Sequence, residues 1–152
     1  MGAVVERLAS MGLTVPDVAA PVASYVPALR SGSHVFTSGQ LPFVDGALPA
    51  VGKVGAEVSP EDAHEYARLC GLNVIAAINS IADLDTVVRV VKVTVFVASA
   101  PDFTGQPGVA NGASDLLAAA FGAAGSHTRS AVGVAVLPLN SPVEVDAIVE
   151  VA

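Results

Sequence analysis

Hydrophobic and polar positions change rhythm several times along this chain, and each rhythm predicts an element. Val4, Val5, Leu8 and Met11 recur at helical spacing ahead of Gly12, which predicts a short amphipathic helix. Over residues 14–27 prolines interrupt a run of Ala and Val, so an extended lead-in with room for an edge strand is expected. Residues 34–41 are strand-like, and 43–48 contain Asp45-Gly46, a pair that tolerates left-handed backbone; together they predict a β-hairpin. Ser59-Pro60-Glu61-Asp62 supplies an N-cap, a first-turn proline and two acids for the unpaired amides of a helix start. From there Ala63, Tyr66, Ala67, Cys70, Val74, Ala77, Ile78 and Ile81 form one apolar stripe.

Residues 87–97 read VVRVVKVTVFV, a β-branched run that predicts a strand. Strict alternation puts Arg89, Val91, Val93, Val95 and Val97 on one face and Val88, Val90, Lys92, Thr94 and Phe96 on the other. Neither face suits water. Two helices cover one face of a sheet, so the other is expected to meet another subunit. The Ala- and Leu-rich run 111–121 predicts a second long helix ending at Gly122. Two strands follow. In the first, Ser130, Val132, Val134 and Val136 oppose Arg129, Ala131, Gly133 and Ala135; in the second, Val143, Val145, Ala147, Val149 and Val151 oppose Glu144, Asp146, Ile148 and Glu150. The order α, β-hairpin, α, β, α, β, β describes a single α+β domain over 1–152, with 1–13 an N-terminal helical extension.

Composition narrows the function. The 152 residues are 53% hydrophobic and 14% charged, enough for one domain with a real core, and they exclude intrinsic disorder. Fourteen acids against seven Lys and Arg give a net charge of −7 with no basic run, which disfavours nucleic acid as a partner. Every apolar stretch is broken well short of the roughly 20 residues that span a bilayer. The opening residues lack a basic lead, and the one cysteine, Cys70, has no internal disulfide partner, so a cytoplasmic protein is expected. His34, His64 and His127 show no metal-ligand spacing, and neither a P-loop nor a GxGxxG run occurs, so no metal or nucleotide cofactor is assigned.

Arg129 and Glu144 are the main candidate residues. Small neighbours Ala131, Gly133 and Ala135 leave space beside Arg129 for bidentate carboxylate binding; a strand-edge ion pair is the plainer alternative. Glu144 on the polar face of the last strand suits general acid–base work or holding a water, or is simple polar alternation. Were the last two strands paired through a turn near Asn140, Arg129 would lie roughly 20 Å from Glu144, and only an oligomer would unite them. His127 either lines the same pocket or caps locally, and Cys70 belongs to the helix stripe.

TSGQLP at 37–42, KVTVFV at 92–97 followed by Asp102-Phe103, and TRSAVGVAVLPLNSPVEVDAI from Thr128 resemble blocks of the Rid/YjgF family of reactive-intermediate deaminases, in family order. The resemblance implies a chorismate-mutase-like fold with two main helices on one sheet face, assembled as a homotrimer with ligand clefts between subunits. It implies hydrolysis of 2-enamine or 2-imino acids to 2-oxo acids and ammonia, with no metal or bound cofactor. It further implies that Arg129 binds the substrate carboxylate, that Glu144 positions water, and that Ser38 and Gly39 line the cleft. Tyr25 falls at the family spacing to contact the imine end, with a core-packed ring as the alternative. Ala131 stands where deaminating members often carry Cys, and the family's helix asparagine maps to Ser114, with Asn111 one turn earlier. These departures mark a divergent subgroup. They leave a second reading, a small-carboxylate binding protein on the same trimer, and a less favoured third, an endoribonuclease.

Overall fold

The structure, a computed structural model, describes residues 2–152; Met1 lies outside them. Its helices are α1 (Ala3–Ser10), α2 (Pro60–Asn79) and α3 (Gln106–Phe121), and its strands are β1 (Ala28–Ser31), β2 (His34–Thr37), β3 (Val87–Ala98), β4 (Thr128–Val134) and β5 (Val143–Val151). The strands form one sheet in the order β1-β2-β5-β3-β4, parallel between β3 and β4 and antiparallel elsewhere. The fold is α+β, with α2 and α3 on one sheet face.

Local chemistry sets the helix ends as expected. The Ser59 side chain accepts from the Asp62 N–H at 3.1 Å, and Pro60 opens α2 where no N–H partner is needed. α3 stops at Gly122, whose φ of +61° an L side chain rarely adopts. It begins earlier than the Ala/Leu run indicates, at Gln106, because a first-turn proline such as Pro107 is compatible with helix. α2 and α3 lie close because small residues face each other: Gly71 stands against Ala113, and a Cβ on Gly112 would collide with the His64 carbonyl. Together they bury Val143, Val145, Ala147, Val149 and Val151, the inward row of β5. α1 docks by burying Val4 and Leu8 and by a Val4 N–H donated to Asp85 at 3.2 Å.

Four expectations need correction. The hairpin is β1–β2, turning at Gly32-Ser33, and no edge strand forms within 14–27. Asp45-Gly46 does turn, with φ of +50° and +79° and paired Val44–Ala47 hydrogen bonds, but carries only that one bridge. Pro42 and Pro49 bracket it and cannot extend a ladder. In β3 the alternation breaks: register shifts at Val87/Arg89 and Val90/Lys92 turn Val87 and Val90 inward with Val93, Val95 and Val97. Arg89 is left outside, 3.0 Å from Glu150.

The third and fourth corrections concern β4. Its Val132 row faces away from the helices, with Val132 exposed and Ser130 and Val134 half-buried, while Arg129, Ala131 and Gly133 turn toward the helix layer. β4 and β5 are not neighbours, because the crossover through α3 places β4 parallel to β3, and β5 pairs on the other side of β3. The helix-free face carries exposed Leu29, Phe36 and Val132 with Phe96 and Ile148 beside them in register.

Replacing Gly112 by Ala should destabilise the chain by about 1–3 kcal/mol, the range for overpacking a tight contact, with urea denaturation as the check. Gly108→Ala on the same helix, where a Cβ meets open space, should not.

Candidate functional site

The predicted residues gather in two groups on opposite faces of the sheet. Glu144 pairs in register with Phe96, which pairs with Val132, whereas Arg129 pairs with Val93, which pairs with Ala147. Two strand spacings and three residue steps separate their Cα atoms by about 14 Å, with side chains diverging.

The first group surrounds a cavity of about 510 Å³ lined by Tyr25, Ser38, Gly39, Glu144 and Asp146 among others. Beyond β2, Gln40 pairs its backbone with Val145 through bonds of 2.7 and 3.0 Å, which lays Ser38-Gly39 beside Glu144. Gly39 is required there, since a Cβ would collide with the Glu144 carboxylate. Ser38 donates its hydroxyl to the Val26 carbonyl at 2.6 Å, so it ties down the proline-rich lead-in and keeps its lone pairs for the cavity. Tyr25 is 43% exposed and lines this cavity, which excludes the core-packed alternative. Two contributors escaped the pattern reading. Buried Asn73 donates to the Leu41 and Phe43 carbonyls at 2.9 and 3.1 Å and holds the cavity's far wall, and Asp146 stands next to Glu144 on the same face.

Burial raises the Glu144 carboxyl above the ordinary glutamate range, and the neighbouring Asp146 charge adds to the effect. Asp146 is raised as well, by burial, with the Thr94 hydrogen bond and Lys92 pulling it partly back. Such a carboxyl suits both taking and returning a proton.

The second group is built on α3 and the start of β4. Arg129 Nη1 donates to Asn111 Oδ1 at 2.8 Å and to Ser114 Oγ at 3.2 Å, and Nη2 donates to the Pro107 carbonyl at 3.4 Å. Both helix candidates, Asn111 and Ser114, therefore hold the same nitrogen. Among the described residues Arg129 forms no ion pair, so the strand-edge salt bridge is excluded. Its five N–H donors less these three bonds leave Nε–H and one Nη2–H without a partner among the described residues. Ala131 follows on the same face and packs against the core, whereas the space at Gly133 is taken by the Gln106 side chain. His127 belongs to this group: Nδ1 lies 2.6 Å from the Gly125 carbonyl and Nε2 lies 2.9 Å from Ser114 Oγ. No cluster of three or more His, Cys, Asp or Glu side chains able to hold a metal occurs among the described residues. No helix among them is long and apolar enough to cross a membrane.

A helix-backed mixed sheet, with an anchored arginine at one edge and a half-buried glutamate on its open face, is the layout of a chorismate-mutase-like α+β protein. The chain belongs to the Rid/YjgF family: the family described as "YjgF/chorismate mutase-like, putative endoribonuclease" matches residues 5–151. It is 46% identical to Protein TCP17 of Trypanosoma cruzi, covering 98% of this chain and 94% of that one. It is 34% identical to the "Putative reactive intermediate deaminase TdcF" of Escherichia coli, over 84% of this chain and 86% of TdcF. The crystal structure of Agrobacterium tumefaciens Atu1372, a protein with unknown function, superposes with a TM-score of 0.92 at 42% identity, covering 99% and 94% of the two chains. E. coli TdcF with bound serine superposes at 0.66 with 28% identity, covering 89% and 94%. The higher score over nearly the whole chain includes α1 and places this protein nearer the Atu1372 shape than the TdcF shape.

Because folding raises the Glu144 carboxyl's proton affinity, the folded chain binds more protons than the unfolded one between the two affinities. Stability therefore falls as pH rises from the ordinary glutamate range through the raised folded value. Glu144→Gln should melt higher than wild type above that window and lose the advantage in acid, measured by thermal denaturation across pH.

Proposed function

We propose that this protein hydrolyses 2-imino acids, and the 2-enamines that tautomerise to them, to 2-oxo acids and ammonia, in clefts completed between copies of a homotrimer. The observation carrying this reading is Arg129: a guanidinium held by neutral acceptors, with no carboxylate partner among the described residues and two N–H donors, on Nε and Nη2, unspent. The TdcF name supports the reaction class. The exposed apolar face of the sheet supports assembly, since Leu29, Phe36 and Val132 would leave water there.

In this reading Arg129 of one copy binds the substrate carboxylate and Glu144 of another faces the C=N carbon. Glu144 orients a water, takes one proton as the water oxygen attacks that carbon and passes it to the nitrogen, then relays the second proton, from the new carbinol hydroxyl, to the same nitrogen as it departs. Cleavage of the C–N bond releases ammonia and leaves the 2-oxo acid. Gly39, Ser38 and Tyr25 shape the cavity around the reacting end. No cofactor is required for this hydrolysis.

Carboxylate binding without turnover is the second reading, favoured by serine bound to TdcF and by Ala131 in place of the deaminase thiol. It predicts thermal stabilisation by 2-oxobutyrate with no ammonia release. An endoribonuclease activity sits poorly with a net charge of −7.

The test is ammonia release from 2-aminoacrylate or 2-iminobutyrate generated by a pyridoxal-phosphate dehydratase. Arg129→Ala should abolish measurable turnover, and Glu144→Gln should lower kcat by about 10²–10⁴-fold, the usual contribution of a positioned acid–base group. Deamination by Arg129→Ala at the wild-type rate would overturn the reading.

A further inference from the structure

The hydrogen-bond chain behind Arg129 has a direction. The Gly125 carbonyl only accepts, so at 2.6 Å the neutral His127 ring must carry its proton on Nδ1. Nε2 is then bare and accepts the Ser114 hydroxyl hydrogen across 2.9 Å. With its hydrogen committed to His127, Ser114 Oγ turns a lone pair toward Arg129 Nη1 at 3.2 Å. Asn111 Oδ1 takes the other Nη1 hydrogen. A serine without His127 would be free to rotate its hydrogen into the space facing the guanidinium, where it repels an N–H donor.

We propose that His127 is a positioning residue for the Arg129 clamp: acting through Ser114, it fixes the guanidinium plane so that the Nε–Nη2 edge stands ready for a carboxylate. This inference rests on the carboxylate role of Arg129 proposed above and assigns the residue that sets its orientation. Two features of the chain itself support it. His127 reaches Ser114 from the segment joining α3 to β4, so it ties the helix partner of Arg129 to the strand that carries Arg129. Its own anchor is a backbone carbonyl at Gly125, a buried residue pressed against Ala118 of α3, so the ring is held from a rigid point. Arg129 touches the carboxylate and not the reacting carbon, so misorienting it weakens ground state and transition state alike.

The experiment compares wild type, Arg129→Ala, His127→Ala, His127→Gln, Ser114→Ala and the His127→Ala/Ser114→Ala double variant. Each is measured for KM and kcat in the dehydratase-coupled assay and for Kd toward 2-oxobutyrate by calorimetry. His127→Ala should raise KM and Kd about five- to tenfold, the scale of one neutral hydrogen bond such as that between Ser114 and His127, with kcat within about twofold. His127→Gln, whose amide oxygen can accept from Ser114, should recover most of the loss. The double variant should be no weaker than the weaker single one, because both residues act through one chain of bonds. Wild-type KM and Kd in His127→Ala would overturn the proposal, as would additive losses or a fall in kcat alone that tracks lost folded protein. If wild type and Arg129→Ala are indistinguishable in binding and turnover, the carboxylate reading itself has failed and the His127 role falls with it. If Arg129→Ala loses binding while His127→Ala matches wild type, the carboxylate reading stands and the His127 role alone is overturned.

Discussion

The rest of this structure depends on a mismatch between one sheet with two water-averse faces and a single layer of helices. α2 and α3 pack tightly enough, through Gly71, Gly112 and Ala113, to seal the inward rows of β3 and β5. They leave Leu29, Phe36, Phe96, Ile148 and Val132 on the outward side. Period-two alternation then decides where chemistry can go. Glu144 and Asp146 must share the open face, and Arg129 must share the helix side with Val93 and Ala147. The same constraint that leaves apolar surface uncovered also divides the polar residues, which is why the proposed function sets the site between copies of the chain.

Electrostatics reinforces the division. Arg129 spends three donors on neutral oxygens of Asn111, Ser114 and Pro107 and, among the described residues, pairs with no carboxylate, so its charge is not neutralised. Glu144 sits half-buried beside another acid, so its proton is held harder than usual. The arginine and the carboxyl are opposite in charge, and their places on opposite sheet faces keep them from neutralising each other within one chain.

Much of this was legible from pattern. β5 alternates without a fault, the Ser59-Pro60 cap opens α2, and Gly122 closes α3, because each signal is local and acts through sterics or one hydrogen bond. The β3 faces were not legible, because two register shifts break the alternation and nothing in VVRVV marks where. The hairpin was misplaced for a related reason: Asp45-Gly46 has sound turn chemistry, but Pro42 and Pro49 deny it strands, while the equally short turn at Gly32-Ser33 is flanked by residues that extend a ladder. At the site, Arg129, Ser114 and Asn111 could each be nominated singly, yet their meeting on one nitrogen needed the crossover geometry of α3 and β4. His127 and Asn73 carry no motif at all; their importance lies in which carbonyl or hydroxyl the fold brings to them.

The central claim, a site shared between copies, is tested most directly by mixing inactive subunits. Arg129→Ala and Glu144→Gln chains, each inactive alone, would be unfolded together in equal amounts, refolded and assayed for ammonia release. Random assembly of a trimer whose sites take Arg129 from one copy and Glu144 from the next leaves both residues intact in about a quarter of sites, so about a quarter of wild-type activity should return. If each chain held a complete site of its own, every site in the mixture would lack one residue and activity would stay at the level of the separate variants. That result would contradict the account.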